Sequence, residues 1–287
     1  MTISIRKSFV AFILTHGRAN TVFTHRLLRK SGYSGPIVLV IDDQDSQREQ
    51  YEHLYGDEVY VFNKAEAEKT TTAMDNFGEM KSIVFAHNAC FGIAAELGYD
   101  YFVQLDDDYT SFGHRHDKEF KAVYRAAKDL DSVFESFLEF FDSTPIHSIA
   151  MAQGGDFIGG SDVQFEKQGI RMLRKCMNSF ICSTKRPFKF LGLLNDDVNT
   201  YVTEGIRGRL MFTALSFSLS QKATQSGKGG VTDIYLKYGT YVKSFYTVML
   251  APSCVKVAPM GDKHYRLHHR VSWNNAVPKI MRENIRN

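Results

Sequence analysis

Four apolar runs, SFVAFIL, PIVLVI, EVYVF and YFVQL, fall within the first 105 of 287 residues, each parted from the next by a stretch of helical periodicity. Helices are predicted over Thr21 to Ser31, Gln44 to Leu54 and a longer segment from Met80 to Leu97. Strand and helix in regular alternation give an α/β chain with a parallel sheet, because a parallel neighbour needs a crossover between strands. The second half is less regular. Val133, Phe134, Phe137, Leu138 and Phe141 recur at helical spacing, as do Tyr238, Tyr241, Val242, Phe245, Val248 and Met249, while SIAMAQ, FICST, TALSFSL and CVKVA read as short strands. No repeat or linker divides the chain, so one domain with two unequal lobes is expected.

Composition narrows the function classes. At 44% hydrophobic and 23% charged the chain is globular, and a net charge of +3 means that a polyanionic partner must be met by a local patch. No stretch approaches the roughly 20 apolar residues that span a bilayer, so no membrane association is expected. The N-terminal apolar segment, Phe9 to Leu14, is short and lacks a small-residue cleavage site, which predicts a buried strand rather than a signal peptide. Cys90, Cys176, Cys182 and Cys254 have no CxxC spacing, which fits a reducing, cytoplasmic compartment.

In open α/β sheets ligands gather at the C-terminal strand ends. There stand Thr15-His16-Gly17-Arg18, Asp42-Asp43-Gln44-Asp45 and Asp106-Asp107-Asp108-Tyr109. The last group is the most informative. Alternate residues of an extended chain share a face, so Asp106 and Asp108 can point the same way. Two such carboxylates repel unless a cation sits between them, and oxygen ligands of this kind suit Mg²⁺ or Mn²⁺. An acidic turn after a strand is the plainer meaning of a bare DxD; the strongly apolar strand before it favours the metal.

This arrangement resembles the GT-A nucleotide-sugar glycosyltransferases. Asp42-Asp43, Val61-Phe62-Asn63-Lys64, Asp75-Asn76, His87-Asn88, LGYDYFVQLDDDY, His264-Tyr265-Arg266-Leu267-His268-His269 and the run from Trp273 to Lys279 together look like the TET-associated glycosyltransferases, a mainly phage group proposed to glycosylate hydroxymethylated pyrimidines in DNA. The resemblance implies a GT-A type, Rossmann-like, mostly parallel central sheet flanked by helices, with a less regular C-terminal acceptor lobe. It divides 1–287 into a nucleotide-sugar-binding half, about 1–110, and an acceptor-binding and catalytic half, about 111–287.

The resemblance further implies that Thr15 and Arg18 contact the nucleotide, that Asp42 or Asp43 and Asp75 bind its base or ribose, and that Asp106 and Asp108 hold Mn²⁺ or Mg²⁺. Lys81, Asn88 and Asp107 complete the expected donor site. Asn63 and Lys64 match the pattern, one of them serving at least as a helix cap. GT-A enzymes often draw a base from an acidic motif after the DxD, which makes Asp196 or Asp197 the candidate, Asp197 preferred. Asp at a helix start is also stabilised by capping alone. A late metal-binding His is expected at His264 or His268, and the Gly-rich loop Gly154 to Asp162 would shape the sugar and acceptor pockets.

The acceptor implied is double-stranded DNA carrying 5-hydroxymethylcytosine or hydroxymethyluracil, the donor a UDP-sugar with glucose or arabinose favoured, and the place the host cytoplasm if the chain is phage-encoded. Between Lys167 and Lys189 lie seven basic residues and no acidic one: Lys167, Arg171, Arg174, Lys175, Lys185, Arg186 and Lys189. Such a run is where backbone phosphates would dock, and Lys222 and Lys228 lie in a loop able to reach the same backbone. The alternatives are a polysaccharide or protein acceptor on the same fold, and a metal-dependent phosphoesterase, which would need a second full ligand set.

Overall fold

The computed structural model describes residues 8–75, 82–116, 119, 122–154, 170–221, 235, 239, 241–260 and 266–278. Strands β1 (Phe9–Leu14), β2 (Ile37–Asp42), β3 (Val59–Phe62) and β4 (Tyr101–Asp106) are the four apolar runs of the sequence, and they lie parallel in the order β3-β2-β1-β4. Between them run α1 (Phe23–Lys30), α2 (Arg48–Tyr55), α3 (Lys64–Thr70) and α4 (Val84–Glu96).

Every residue of β1 is buried, and its two faces enter different cores. Phe9, Ala11 and Ile13 pack on the side of α1, α2 and α5 (Leu130–Ser143), while Val10, Phe12 and Leu14 pack on the side of α4 and α6 (Asp196–Ile206). A strand covered on both faces needs a continuous apolar run instead of an alternating one, which is why FVAFIL reads as it does. Of α5, Val133, Phe134, Phe137, Leu138 and Phe141 are buried, as their spacing predicted.

Beyond β4 the sheet changes character. Its order continues β4-β9-β7-β10-β5-β6, formed by β5 (Tyr109–His116), β6 (Ala122–Ala126), β7 (Ile146–Ala152), β9 (Ser179–Ser183) and β10 (Leu210–Gln221). β8 (Ile170–Arg171) pairs with β10 off this path, making ten strands in all. β7 and β10 are parallel, whereas β4/β9, β7/β9, β10/β5, β5/β6 and β10/β8 are antiparallel. The parallel character is thus concentrated in the first half, and the sheet as a whole is mixed. The five residues between β5 and β6 are too few for a crossover helix, so that pair is antiparallel.

Helix α7 (Val242–Leu250), the antiparallel pair β11 (Val255–Met260) and β12 (Arg266–Val271), and α8 (Trp273–Ala276) complete the described chain. Gly205 lets α6 meet this end closely, since a Cβ there would sit 1.9 Å from the Ala276 carbonyl oxygen. All four cysteines are free and buried. Among the described residues no helix is long and apolar enough to cross a membrane.

Candidate functional site

Chain order reverses between β1, which leads on to β2 on one side, and its other neighbour β4, so their C-terminal ends form the switch point at which open α/β sheets bind ligands. Leu14 is in register with Asp106, which sets the loop after β1 beside the acidic turn after β4. A chain of hydrogen bonds ties the two. Tyr51 OH accepts from the Arg18 backbone N–H at 2.8 Å and lies 2.9 Å from Thr15 Oγ1. Thr15 Oγ1 donates to Asp107 Oδ2 at 2.7 Å, and Arg18 Nη1 donates to Asp107 Oδ1 at 2.9 Å. A carboxylate only accepts, so the Thr15 hydroxyl hydrogen points at Asp107 and Tyr51 must donate to Thr15. Asp107 is buried with both oxygens engaged, and the structure makes it the anchor of the Thr15–Arg18 loop. Gly17, at φ +65°, turns that loop and donates its N–H to Asp45 Oδ2 at 2.7 Å.

Asp106 and Asp108 are left with a different electrostatic environment. Burial pushes the Asp106 carboxyl well above the usual range, and Asp108, Asp107 and Asp196 push it further; Arg18 is the opposing charge. The Asp106 backbone is fixed by Thr24, whose Oγ1 donates to its carbonyl at 2.6 Å.

At the end of β2, Asp42 accepts from His16 Nδ1 at 2.8 Å and from Lys64 Nζ at 3.4 Å. Burial would raise Asp42, but the His16 bond and the Lys64 charge hold it below the usual carboxylate range. Asp43 Oδ1 accepts from the Lys64 backbone N–H at 3.0 Å, and Asn63 caps α3 through Glu66 N–H at 2.9 Å. Asp75 accepts from Tyr246 OH on α7, joining the N-terminal half to the C-terminal helix. Asn88 clamps Phe190 from both sides, Nδ2 to the carbonyl at 3.0 Å and Oδ1 from the N–H at 2.8 Å. Its amide is thereby committed to the segment that leads to α6.

The second acidic pair opens α6. Asn195 adopts the left-handed conformation, φ 60°, which Asn tolerates better than most residues, and donates from Nδ2 to Thr247 Oγ1 at 2.6 Å. The two carboxyls that follow are treated differently. Asp197 accepts from Lys175 Nζ, and from the Val198 N–H at 2.8 Å; burial opposes its ionisation, but Lys175 outweighs it and holds Asp197 low. Asp196 is raised by burial and by the neighbouring Asp197 charge. It lies within electrostatic reach of Asp106 and 3.8 Å from His87 Nε2.

Among the described residues no group of three or more His, Cys, Asp or Glu side chains comes together to hold a metal ion by itself, so the two full ligand sets of a phosphoesterase are not found among them.

His268 and His269 stack on β12 with ring centroids 4.1 Å apart. His269, beside the expected ligand His268, reaches the start of α6. Its Nδ1 lies 3.3 Å from Asn195 Nδ2, and burial and then His268 push it down to about 3. Tyr235 also senses both Asp196 and Asp197 and is pushed up to about 12, chiefly by burial.

The basic run is divided. Lys175 belongs to the Asp197 pair. Arg186 Nη1 donates to the carbonyls of Phe141, Thr144 and Ile146 at 3.0, 2.7 and 2.9 Å, with its guanidinium 4.9 Å from the Phe141 ring centroid, and so closes the end of α5. Lys189 Nζ donates to the Thr70 carbonyl at 3.2 Å. Lys185 is 70% exposed and pairs with Asp100 at 3.0 Å. Arg171 lies in β8 and Arg174 in the segment leading to β9. Asn76, Lys81, 155–162, Lys167, Lys222, Lys228, Tyr238, His264, Tyr265 and Lys279 lie outside the described residues.

A model of the TET-associated glycosyltransferase family matches residues 9–230 of the chain. No curated protein matches it. Among solved structures, it is similar to glucosyl-3-phosphoglycerate synthase from Mycobacterium tuberculosis in complex with Mn²⁺ and UDP-glucose, at 9% identity and TM-score 0.48 over 93% of this chain and 88% of that one. It is also similar to S. aureus TarS 1-349 in complex with UDP-GlcNAc, at 11% identity and TM-score 0.45 over 84% of this chain and 66% of that one. With a family match that spans both the acidic turn after β4 and the acidic pair opening α6, the chain belongs to the TET-associated glycosyltransferases and is a glycosyltransferase.

Proposed function

We propose that the chain transfers a sugar, glucose or arabinose, from a UDP-sugar to the hydroxymethyl group of 5-hydroxymethylcytosine or hydroxymethyluracil in phage DNA, with Mn²⁺ or Mg²⁺ as cofactor. In this reading residues about 1–110 bind the donor, and about 111–287 bind the acceptor and supply the base. The single observation that carries it is the acidic turn at the end of β4, held against the Thr15–Arg18 loop through Asp107, with the neighbouring carboxylates adding to the negative charge around Asp106. That donor set fits a divalent cation of the Mg²⁺ or Mn²⁺ kind, which takes one or two carboxylates and completes its shell from phosphate oxygens and water. Asp106 and Asp108 would hold it. When bound, such an ion neutralises the charge that grows on a departing diphosphate.

The other steps fall to the chain itself. The loop Thr15–Arg18, anchored on Asp107, lies where the nucleotide would enter, and the Arg18 guanidinium, 39% exposed, offers it a positive charge. Asp196 would take the proton of the acceptor hydroxyl. A base works best with a proton affinity matched to neutral pH, and burial raises Asp196 in that direction, whereas Lys175 holds Asp197 ionised and occupied. Geometry thus favours Asp196 over Asp197 for this role.

The inward commitment of Lys175 and Arg186 supports the second reading, a polysaccharide or protein acceptor, because it thins the basic surface open to a duplex. Mass spectrometry of nucleosides from hydroxymethylated DNA, incubated with a panel of sugar nucleotides and Mn²⁺, separates the two. A glycosylated hydroxymethylpyrimidine is expected; donor turnover that requires an added glycan or protein, with the DNA unchanged, would overturn the DNA acceptor.

A further inference from the structure

His87 is buried in α4 beside the site, and its neighbour Asn88 explains only half of the His-Asn motif. The imidazole stacks on Phe190 at 4.4 Å and meets the edge of Phe180 at 5.5 Å. An apolar ring would satisfy that packing. What an apolar ring would not supply is the arrangement of the two nitrogens.

Nδ1 faces Gln104 Oε1, and Gln104 Nε2 donates to the His87 backbone carbonyl at 2.9 Å. Gln104 lies in the middle of β4, fully buried between apolar neighbours, where an unpaired amide would be costly. A carbonyl oxygen can only accept, so the Gln104 NH₂ must face the backbone and its Oε1 must face the ring. That oxygen also can only accept, so Nδ1 carries the hydrogen. Burial pushes His87 down to about 4, so the ring is neutral at neutral pH and Nε2 holds a lone pair. That lone pair faces Asp196 Oδ2 at 3.8 Å, a spacing of the kind catalytic pairs close when substrates bind.

We infer that His87 is a positioning residue for sugar transfer: Gln104 fixes its tautomer so that Nε2 accepts a hydrogen bond from Asp196 only when that carboxyl is protonated. The inference rests on Asp196 being the base. In the transfer, the acceptor oxygen bonds to the anomeric carbon while the sugar–phosphate bond breaks, its electron pair leaving on the diphosphate, and the hydroxyl proton passes to Asp196. The protonated carboxyl then donates to His87 Nε2, whereas the ionised carboxylate meets only a lone pair there. His87 thus holds the plane of the Asp196 carboxyl and favours the form that has taken the proton. The other groups that act on Asp196 are Asp197, Lys175, Asp106 and Tyr235. They alter its charge balance; His87 alone among these five presents an acceptor ring nitrogen.

Two measurements test this. Ring ¹⁵N NMR of the intact protein should find His87 neutral and protonated at Nδ1; an Nε2-protonated ring or an imidazolium at neutral pH would overturn the proposal. In kinetics, His87→Phe combined with Gln104→Leu removes both polar partners, so that neither is left buried and unpaired. The double variant should melt near the wild type and keep its donor KM within about twofold, while kcat falls about tenfold to a hundredfold. A folded double variant with wild-type kcat would overturn the inference. Asp196→Asn in the same assay separates the levels: if it retains wild-type turnover the base assignment fails, whereas if it alone loses turnover only the role of His87 fails.

Discussion

The turn after β4 and the start of α6 each present adjacent aspartates, and in each a cation takes one of them, Arg18 holding Asp107 and Lys175 holding Asp197. After β4 the sorting comes from Thr15 and Arg18, which both take Asp107, while Asp106 is pushed up by burial and by its carboxylate neighbours. At α6 it comes from a lysine 22 residues upstream that takes Asp197 and leaves Asp196 raised. An acidic run therefore has no uniform chemistry. A cation that binds one carboxylate in each run defines which neighbour remains to hold a metal or accept a proton.

The largest expected effect falls on the first turn. Asp108→Ala should lower transfer at least about a thousandfold at saturating donor, the scale of several kcal/mol of lost charge stabilisation. Near-normal turnover, or normal turnover of the wild type after chelation, would break the division at β4. The second turn is sharpened by a pair of variants. Asp196→Asn should cut kcat about a hundredfold or more with donor affinity nearly intact. Asp197→Asn should cost about tenfold, through the loss of a partner for Lys175. The opposite order would restore Asp197, the residue that the sequence favoured.

The same contrast between paired and open charges applies to the basic run. Arg186→Ala strips donors from three backbone carbonyls and should lower unfolding stability by about 1–3 kcal/mol in a urea titration. Lys185→Ala should change stability by less than about 0.5 kcal/mol, yet weaken duplex binding and flatten its dependence on salt. Sequence-selective loss of binding would contradict a phosphate contact at Lys185.

The smallest effect belongs to His16 and Asp42. Asp42 raises His16 through their hydrogen bond, against burial, and Asp42 is itself held low. A raised His stabilises fully below its ordinary value of 6.5, and that contribution fades as pH climbs through the raised one. A lowered Asp stabilises above its ordinary 3.8, and that contribution fades as pH falls through the lowered one. Both act between those values. With His16 half-exposed, His16→Gln should cost about 0.5 kcal/mol or less near pH 5 and almost nothing at pH 8.5, read from paired urea titrations.

The parallel half of the fold was legible because each buried strand must be an apolar run and each crossover a helix. The antiparallel second half was not, since short strands such as SIAMAQ and FICST carry no record of direction or neighbour. Asp106 stood out through its strand, but the roles of Asp107 and Asp197 depend on Arg18 and Lys175, partners distant in sequence. Lys175 and Arg186 looked like surface charge because a basic run says nothing about which side chains turn inward. One missed signal was visible: Gln104, a lone amide inside YFVQL, is the kind of buried polar residue that must have a partner, and that partner is His87.

Manganese binding by isothermal titration, with and without UDP, tests the metal site most directly, on the wild type, Asp108→Ala and Asp196→Asn. The wild type and Asp196→Asn should bind one ion that UDP tightens, and Asp108→Ala should lose it. Equal binding by Asp108→Ala, or no binding by the wild type with UDP present, would contradict a cation held at the end of β4.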